Sequence, residues 1–330
     1  MMIPSVAPAP PRDETPPSPR PAPTRWTGVW RRLVANRPAL VGLGVIVALL
    51  AVAIVADLIA PYPYWLQNLD APNQPPTARH LLGTDHLGRD VLSRLIYGAR
   101  VSIAVGLISQ IIILLIGVPV GAIAGYFGGR VDQALMRLVD VMYAFPDVLL
   151  VIVVMTALRA STRDDDAPAL LAALARVDDA VGGLLGVFLA LGLTSWLTVA
   201  RLVRGEVLRL KHREFVQAAR VVGASPFRVL RVHILPNAMG PVVVAATLGI
   251  PNAILMEAAL SFIGLGVQPP MPSWGLMLLD GYRALRAYPH LVLAPAAALS
   301  IAVLSYHFLG DGLRDALDPR LRAGASPRSR

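Results

Sequence analysis

The 330-residue sequence has no cysteine, which removes disulfides, thiolate metal sites and a cysteine nucleophile together and leaves the redox state of its compartment unreadable. It has a single lysine, Lys211, and Leu210 precedes it, so there is no G-K-[ST] phosphate loop and ATP cannot be held in that manner. Neither an H-E-x-x-H pair nor a G-x-S-x-G elbow occurs, and no cluster of His and carboxylates falls at metal spacing. Catalytic and metal-ligating residues are accordingly expected to be absent. Charge is scarce as well, with 15% charged residues against 55% hydrophobic and a mean hydropathy of +0.59. That is more apolar surface than one soluble core could bury, and the chain reads as an integral membrane protein.

Six stretches have the roughly 17–25 apolar residues that cross a bilayer as a helix. They run over 39–60, 101–126, 139–158, 181–203, 239–260 and 290–309. Lipid cannot satisfy bare backbone amides, and the stretches lack the apolar/polar alternation of a barrel strand, so an all-α protein with six transmembrane helices is expected. The first stretch exceeds the 7–15-residue core of a secretory signal and no A-x-A pattern follows it, so it reads as a retained anchor.

Basic residues orient these helices. With both termini cytoplasmic, 21 of the 30 Lys and Arg fall on the inside and nine outside, while Asp164, Asp165, Asp166, Asp178 and Asp179 share one outside loop. This asymmetry favours both ends inside and accounts for most of the net charge of +9. Nucleic-acid binding, the other reading of a basic chain, is disfavoured because the basic residues are split among separate loops. Residues 1–25 are proline-rich and read as a disordered cytoplasmic arm. Trp26, Trp30, Arg31, Arg32, Leu33 and Arg37 then suit either a helix in the lipid headgroup layer or simple basic flanking of the first span. Residues 61–98 are too long for a minimal connector, which predicts an ordered outer cap, helix-like from Asp90.

The loop over 201–236 carries eight of the 30 basic residues. Gln217, Ala218 and Ala219 lie among helix formers, Gly223 can end that helix, and Ser225-Pro226 supplies an N-cap followed by proline at the first helical position. Two short helices with a sharp turn are expected, Phe215, Ala219 and Val222 giving the first one a small apolar face.

Gln217-Ala218-Ala219, Gly223 and Leu235-Pro236, with glycine and proline thirteen residues apart, resemble the EAA loop of ABC importer permeases, the element that docks into the ATPase subunit. The glutamate of the general pattern is replaced by Gln217, while Glu214 lies one turn earlier. Three further stretches narrow the match: Leu82 to Arg94 with Gly83, Asp85, Gly88, Arg89 and Asp90; Glu257 to Pro270 with Ser261, Gly264 and Gly266; and Gly310 to Arg320. Together with Asn36-Arg37-Pro38 they resemble the C-type subunit of the dipeptide/oligopeptide/nickel importer permeases, over roughly residues 26–320.

The resemblance implies a type I ABC importer permease fold, with an accessory region over 26–99, a transmembrane domain over 100–310 and a cytoplasmic tail over 311–330. It implies a subunit that is a conduit and not an enzyme, with ATP and Mg bound by partners. Those partners would be a similar but non-identical permease, two ATPase subunits, an external substrate-binding protein and membrane lipid, in the cytoplasmic membrane. Peptides are the implied cargo, with nickel chelates or glutathione as alternatives on the same machinery. A secondary transporter is a weaker alternative, since no internal repeat is evident. The coupling residues would be Glu214, Gln217, Ala218, Ala219, Gly223, Ala224, Pro226, Leu235 and Pro236.

Other residues have two readings each. Glu257 near the end of the fifth span is costly unless paired or facing water, so Glu257, Ser261 and Pro251 are candidates for a gate or translocation path, the alternative being a wet helix end and packing irregularity. Asp147, after Phe145-Pro146, has the same two readings. Arg89, Asp90 and Arg94 could meet a delivery protein or pair with one another. Gly121, Gly125, Gly182, Gly183 and Gly186 read as close helix-crossing points.

Overall fold

The computed structural model describes residues 25–160 and 168–317. The arm expected before residue 25, Asp164 to Asp166 and the tail beyond 317 lie outside them. The described chain is helical apart from loops and one isolated bridge between Thr84 and Asp90. The helices are α1 (Arg25–Ala35), α2 (Arg37–Ile54), α3 (Ala56–Ile59), α4 (Val91–Phe127), α5 (Gly129–Tyr143), α6 (Asp147–Ala160), α7 (Ala169–Ala180), α8 (Leu184–Leu210), α9 (Glu214–Val221) and α10 (Pro226–Arg228), then, after a π-helical turn (Val229–Ile234), α11 (Leu235–Phe262), α12 (Trp274–Arg283) and α13 (His290–Leu317).

Five stretches among the described residues are long and apolar enough to cross a membrane: α2, α4, α8, the run from Pro226 to Phe262, and α13. The third expected span, 139–158, is instead divided between α5 and α6, which meet at 88°, so the count reaches six only if that bent pair is one span. The break falls at Pro146, which has no N–H to donate and pushes Phe145 before it out of the helical region.

Helices α4 and α8 form the central pair, and glycines set their approach. A Cβ on Gly117 would lie 2.9 Å from the Trp196 carbonyl oxygen and one on Gly125 2.8 Å from that of Arg204, while one on Gly121 would collide with Ala200. Three glycines four apart thus bring the two backbones together, the arrangement by which membrane helices gain packing that lipid cannot supply. Gly182 and Gly183 do not serve this purpose: their φ angles of +67° and +79° mark a left-handed turn ahead of α8. Asp178, 7% exposed, reaches across that turn and accepts the Gly186 N–H at 2.7 Å.

The two ends of the bundle are distinguishable. At one, the start of α4 meets α12, with the Trp274 indole donating to the Leu95 carbonyl at 3.1 Å, and Gly83 of the cap abuts His290 at the start of α13. At the other, α1 lies on the end of α13, burying Val29 and Leu33 against Ala316, and the Arg32 guanidinium donates to the Ala316 carbonyl at 3.4 Å. The region ahead of the first span is therefore a separate amphipathic helix, with Trp30 on its outer side. Since α4 and α13 run the same way from the cap, the 201–236 loop, held beside the end of α4, shares its face with α1 and the end of α13. Lys211 makes that link by donating to the Gly125 carbonyl at 3.1 Å.

Candidate coupling loop, cap network and central cleft

The base of the 201–236 loop is anchored by Arg204, which forks onto Asp132 of α5 at 2.5 and 2.6 Å. In α9, Val216 is fully buried in the apolar cluster that also holds Val139, Val207 and Leu210. Glu214 occupies the first turn, where a carboxylate suits the helix dipole. Gly223, at φ +88°, ends the helix: its N–H bonds the Arg220 carbonyl at 2.9 Å, and Ala224 N–H bonds that of Ala219 at 3.0 Å. This is the paired cap that a left-handed glycine permits. Ser225 then accepts from Arg228 N–H at 3.4 Å, with Pro226 at the first helical position as the sequence predicts.

What faces outward differs from the expected 215/219/222 face. Ala219 and Ala224 pack inward beside Val216, and Gln217 turns back to donate to the His212 carbonyl at 3.3 Å. The exposed apolar groups are Val221 and Val222, each 88% exposed, with Phe227 at 70% and Phe215 at 42%. Ala218 and Gly223 are open beside them, and a Cβ on Gly223 would meet nothing within 4 Å. Leu235 and Pro236 lie beyond the tip. There the Leu235 N–H skips back to the Leu230 carbonyl, and Pro236 has no N–H to continue the regular ladder, which accounts for the π turn.

At the opposite face, Arg89 and Arg94 are 4% and 1% exposed and so do not offer an outward contact. Arg89 pairs with Asp85 at 2.7 Å, and Arg94 reaches Asp85 and Asp280 at 3.5 Å each. Asp90 caps α4 by accepting from the Ser93 N–H at 2.8 Å and hydroxyl at 2.7 Å, and meets His80 at 2.9 Å. The mutual-pairing reading describes these residues in this structure. Asp85, His86 and Asp280 do converge within 4.8 Å. Both carboxylates already face guanidinium groups, which leaves little need for a cation.

Glu257 is not a wet helix end, for it is 0% exposed and Ser261 is 1% exposed, and neither side chain reaches open space in this structure. The Ser261 hydroxyl donates to the Glu257 carboxylate at 2.6 Å and that of Ser102 from α4 at 3.5 Å, while Ser102 accepts the Trp274 N–H at 3.2 Å. The carboxylate thus staples α4, α11 and α12 together. Gly266 and Gly275 allow this, since a Cβ on either would collide with Ser261 or Ala258. Pro251 is also buried, inside a continuous α11.

The open space lies elsewhere. A cavity of about 680 Å³ sits between α4, α6, α8 and α11, with Gln110, Asp147, Thr194, Ser195, Thr198 and Asn252 among its polar lining. Asp147 is exposed on that wall at the first turn of α6. Apart from Asp147, these residues were not anticipated. The signal available was their position: isolated amides and hydroxyls within apolar spans, those of α8 recurring one turn apart at 194 and 198.

Residues 117–323 match the family described as binding-protein-dependent transport system inner membrane component, and residues 24–76 match the N-terminal TM domain of oligopeptide transport permease C. This chain belongs to the binding-protein-dependent transport system inner membrane component family. It is 41% identical to the oligopeptide transport system permease protein OppC of Bacillus subtilis (strain 168), over 90% of either chain. It is 40% identical to the dipeptide transport system permease protein DppC of the same organism, over 92% of this chain and 88% of that one. With the glutathione transport system permease protein GsiD of Pectobacterium atrosepticum it shares 37% identity over 91% of this chain and 93% of the relative. Among solved structures, an inward-facing MetNI methionine ABC transporter has a chain that aligns at TM-score 0.52 and 20% identity, covering 68% of this chain and 96% of that one, which establishes the shared fold.

Proposed function

We propose that this protein is the C-type permease subunit of an ATP-driven importer that moves peptides, or a chemically related small solute, across the cytoplasmic membrane. It pairs with a second, non-identical permease, receives cargo from an external binding protein, and is driven by two ATPase subunits that bind the ATP and Mg. This chain holds no cofactor of its own. Both termini and the 201–236 loop face the cytoplasm, in keeping with the 21 to nine division of basic residues.

The observation that carries this reading is the tip of that loop. Val221 and Val222 stand almost fully exposed on a short helix whose base is fixed by Arg204, Lys211 and buried Val216. An apolar knob on a rigid mount is costly to leave in water and suits insertion into a groove of another protein. A pull on it passes through Val216 to the cluster that joins α5, α8 and α11.

Substituting Ala218 with Trp tests the docking without disturbing the inward-packed Ala219. A well-inserted Ala218→Trp variant, assembled with its partners in vesicles, is expected to lose ATP-dependent peptide uptake. Normal uptake would overturn the assignment of the loop. The same vesicles challenged with peptides, glutathione and a nickel chelate distinguish the cargo.

A further inference from the structure

The cavity between α4, α6, α8 and α11 contains groups that the packing of the bundle does not use. Gln110, near the middle of α4, is 4% exposed, yet neither its amide oxygen nor its amide nitrogen has a hydrogen-bond partner within the described protein. Buried polar groups are costly unless paired, and an apolar side chain of the same length would fill the space at no such cost. The facing helix is cut back to accommodate the amide, since any Cβ on Gly249 would collide with the Gln110 oxygen. One turn further along α11, Asn252 presents a second amide to the same space.

The charge of the cavity is one-sided. Asp147 is its one ionisable carboxylate, and it has no salt-bridge partner among the described residues. No Lys or Arg is among the lining residues. The nearby Arg201 is engaged, donating to Asp140 at 2.6 Å with its guanidinium 4.1 Å from the Tyr143 ring centroid. A lone carboxylate sharing a cavity with two primary amides complements an ammonium group followed by a peptide bond. The carboxylate end of a peptide, or a phosphorylated solute, would find repulsion there instead.

The geometry points to this cavity as the place where the subunit holds the α-ammonium end of a peptide in transit, with Asp147 taking the charge and Gln110 and Asn252 the adjacent backbone amides. The inference rests on the importer reading above and assigns that reading's cargo a contact in this chain. Hydrogen bonds to a charged partner in a cleft open to water fall at the weak end of their range, so losing this one should cost about tenfold in transport.

The test uses the complete transporter in vesicles, with trialanine and N-acetyl-trialanine as probes at concentrations that saturate the binding protein. Asp147→Asn is expected to lower trialanine uptake about tenfold and uptake of the acetylated peptide far less, so that the ratio between the two peptides collapses. Asp147→Glu should restore most of that ratio, and Gln110→Met should depress both peptides alike. An unchanged ratio in Asp147→Asn, whether both uptakes persist or both fall together, would overturn the assignment. Failure of the unmodified transporter to move either peptide would instead overturn the peptide reading itself.

Discussion

Replacing Glu257 with alanine separates a structural carboxylate from one on the transport path. The side chain is fully enclosed and accepts hydrogen bonds from Ser261 at 2.6 Å and Ser102 at 3.5 Å. Removing the acceptor leaves two buried hydroxyls short of a partner, worth about 1–3 kcal/mol, of which Ser261 recovers part by turning to a carbonyl one turn earlier in its own helix. The truncated side chain also leaves a void costing about 1–2 kcal/mol. Together these place the loss at roughly 2–4 kcal/mol, or about 3–6 °C in thermal midpoint for a chain of this size. Glu257→Gln keeps the volume and still offers a carbonyl to Ser261, so its midpoint should fall by no more than about 2 °C with uptake retained. The assay is the temperature at which the detergent-solubilised permease is lost from its size-exclusion peak, read beside uptake in vesicles. An unaltered midpoint in Glu257→Ala combined with abolished uptake would refute the stapling argument and return Glu257 to the translocation path.

Three further outcomes are expected. Gly121→Leu should force α4 from α8, costing at least about 1–3 kcal/mol and lowering the yield of folded protein, whereas Gly205→Leu, at a position with nothing within 4 Å, should not; equal behaviour of the two would contradict the glycine seam. Arg94→Leu leaves Asp85 and Asp280 with one fewer cation and should destabilise by about 3–5 kcal/mol, seen as a lowered thermal midpoint and faster proteolysis in the cap; an intact midpoint would deny the network its role. Because no native cysteine exists, Val222→Cys and Leu81→Cys each carry a sole thiol at an exposed site, so an impermeant maleimide should label the first only in inverted vesicles and the second only in right-side-out ones. The opposite pattern would reverse the proposed orientation.

Local chemistry was legible in the sequence wherever it acts over a few residues. Gly223 and Ser225-Pro226 fix the turn of the 201–236 loop because a left-handed cap and a proline at N1 have no better substitutes. Sustained hydropathy likewise located α2, α4, α8, α11 and α13. Which way α9 faces was not legible, since the choice of Val216 and Ala219 as the inward pair depends on a cluster assembled from α4, α5, α8 and α11. The break of the third span escaped a count of apolar residues because an 88° bend leaves composition unchanged, although Pro146 marked the spot. Nor could spacing reveal that Arg94 meets Asp280, 186 positions away, or that Ser102 reaches Glu257. Buried charge signals that a partner exists without saying where, and so the two readings of Glu257 stood side by side until Ser102 and Ser261 were in view.

The two faces of the bundle are held by different kinds of force, and the difference bears on how a pull would travel. At the cap, α4, α11 and α12 are joined by the Arg89/Arg94 ion pairs and the Glu257 hydroxyl cluster, whose distances and angles tolerate little sliding. At the opposite face the Arg204–Asp132 fork ties α8 to α5, but apart from Lys211 on the Gly125 carbonyl α8 meets α4 and α11 through apolar contact, with Val207 and Ile234 in one cluster beside the glycine seam, and apolar contact is non-directional. Rotation therefore costs less at the loop end than at the cap. Under the importer reading, a displacement of α9 resolves into a swing of α8 and α11 about the cap, which acts as the pivot. Such a swing also shifts Asn252 on α11 against Gln110 on α4, so the cavity that would hold an ammonium group is also one that the motor would deform.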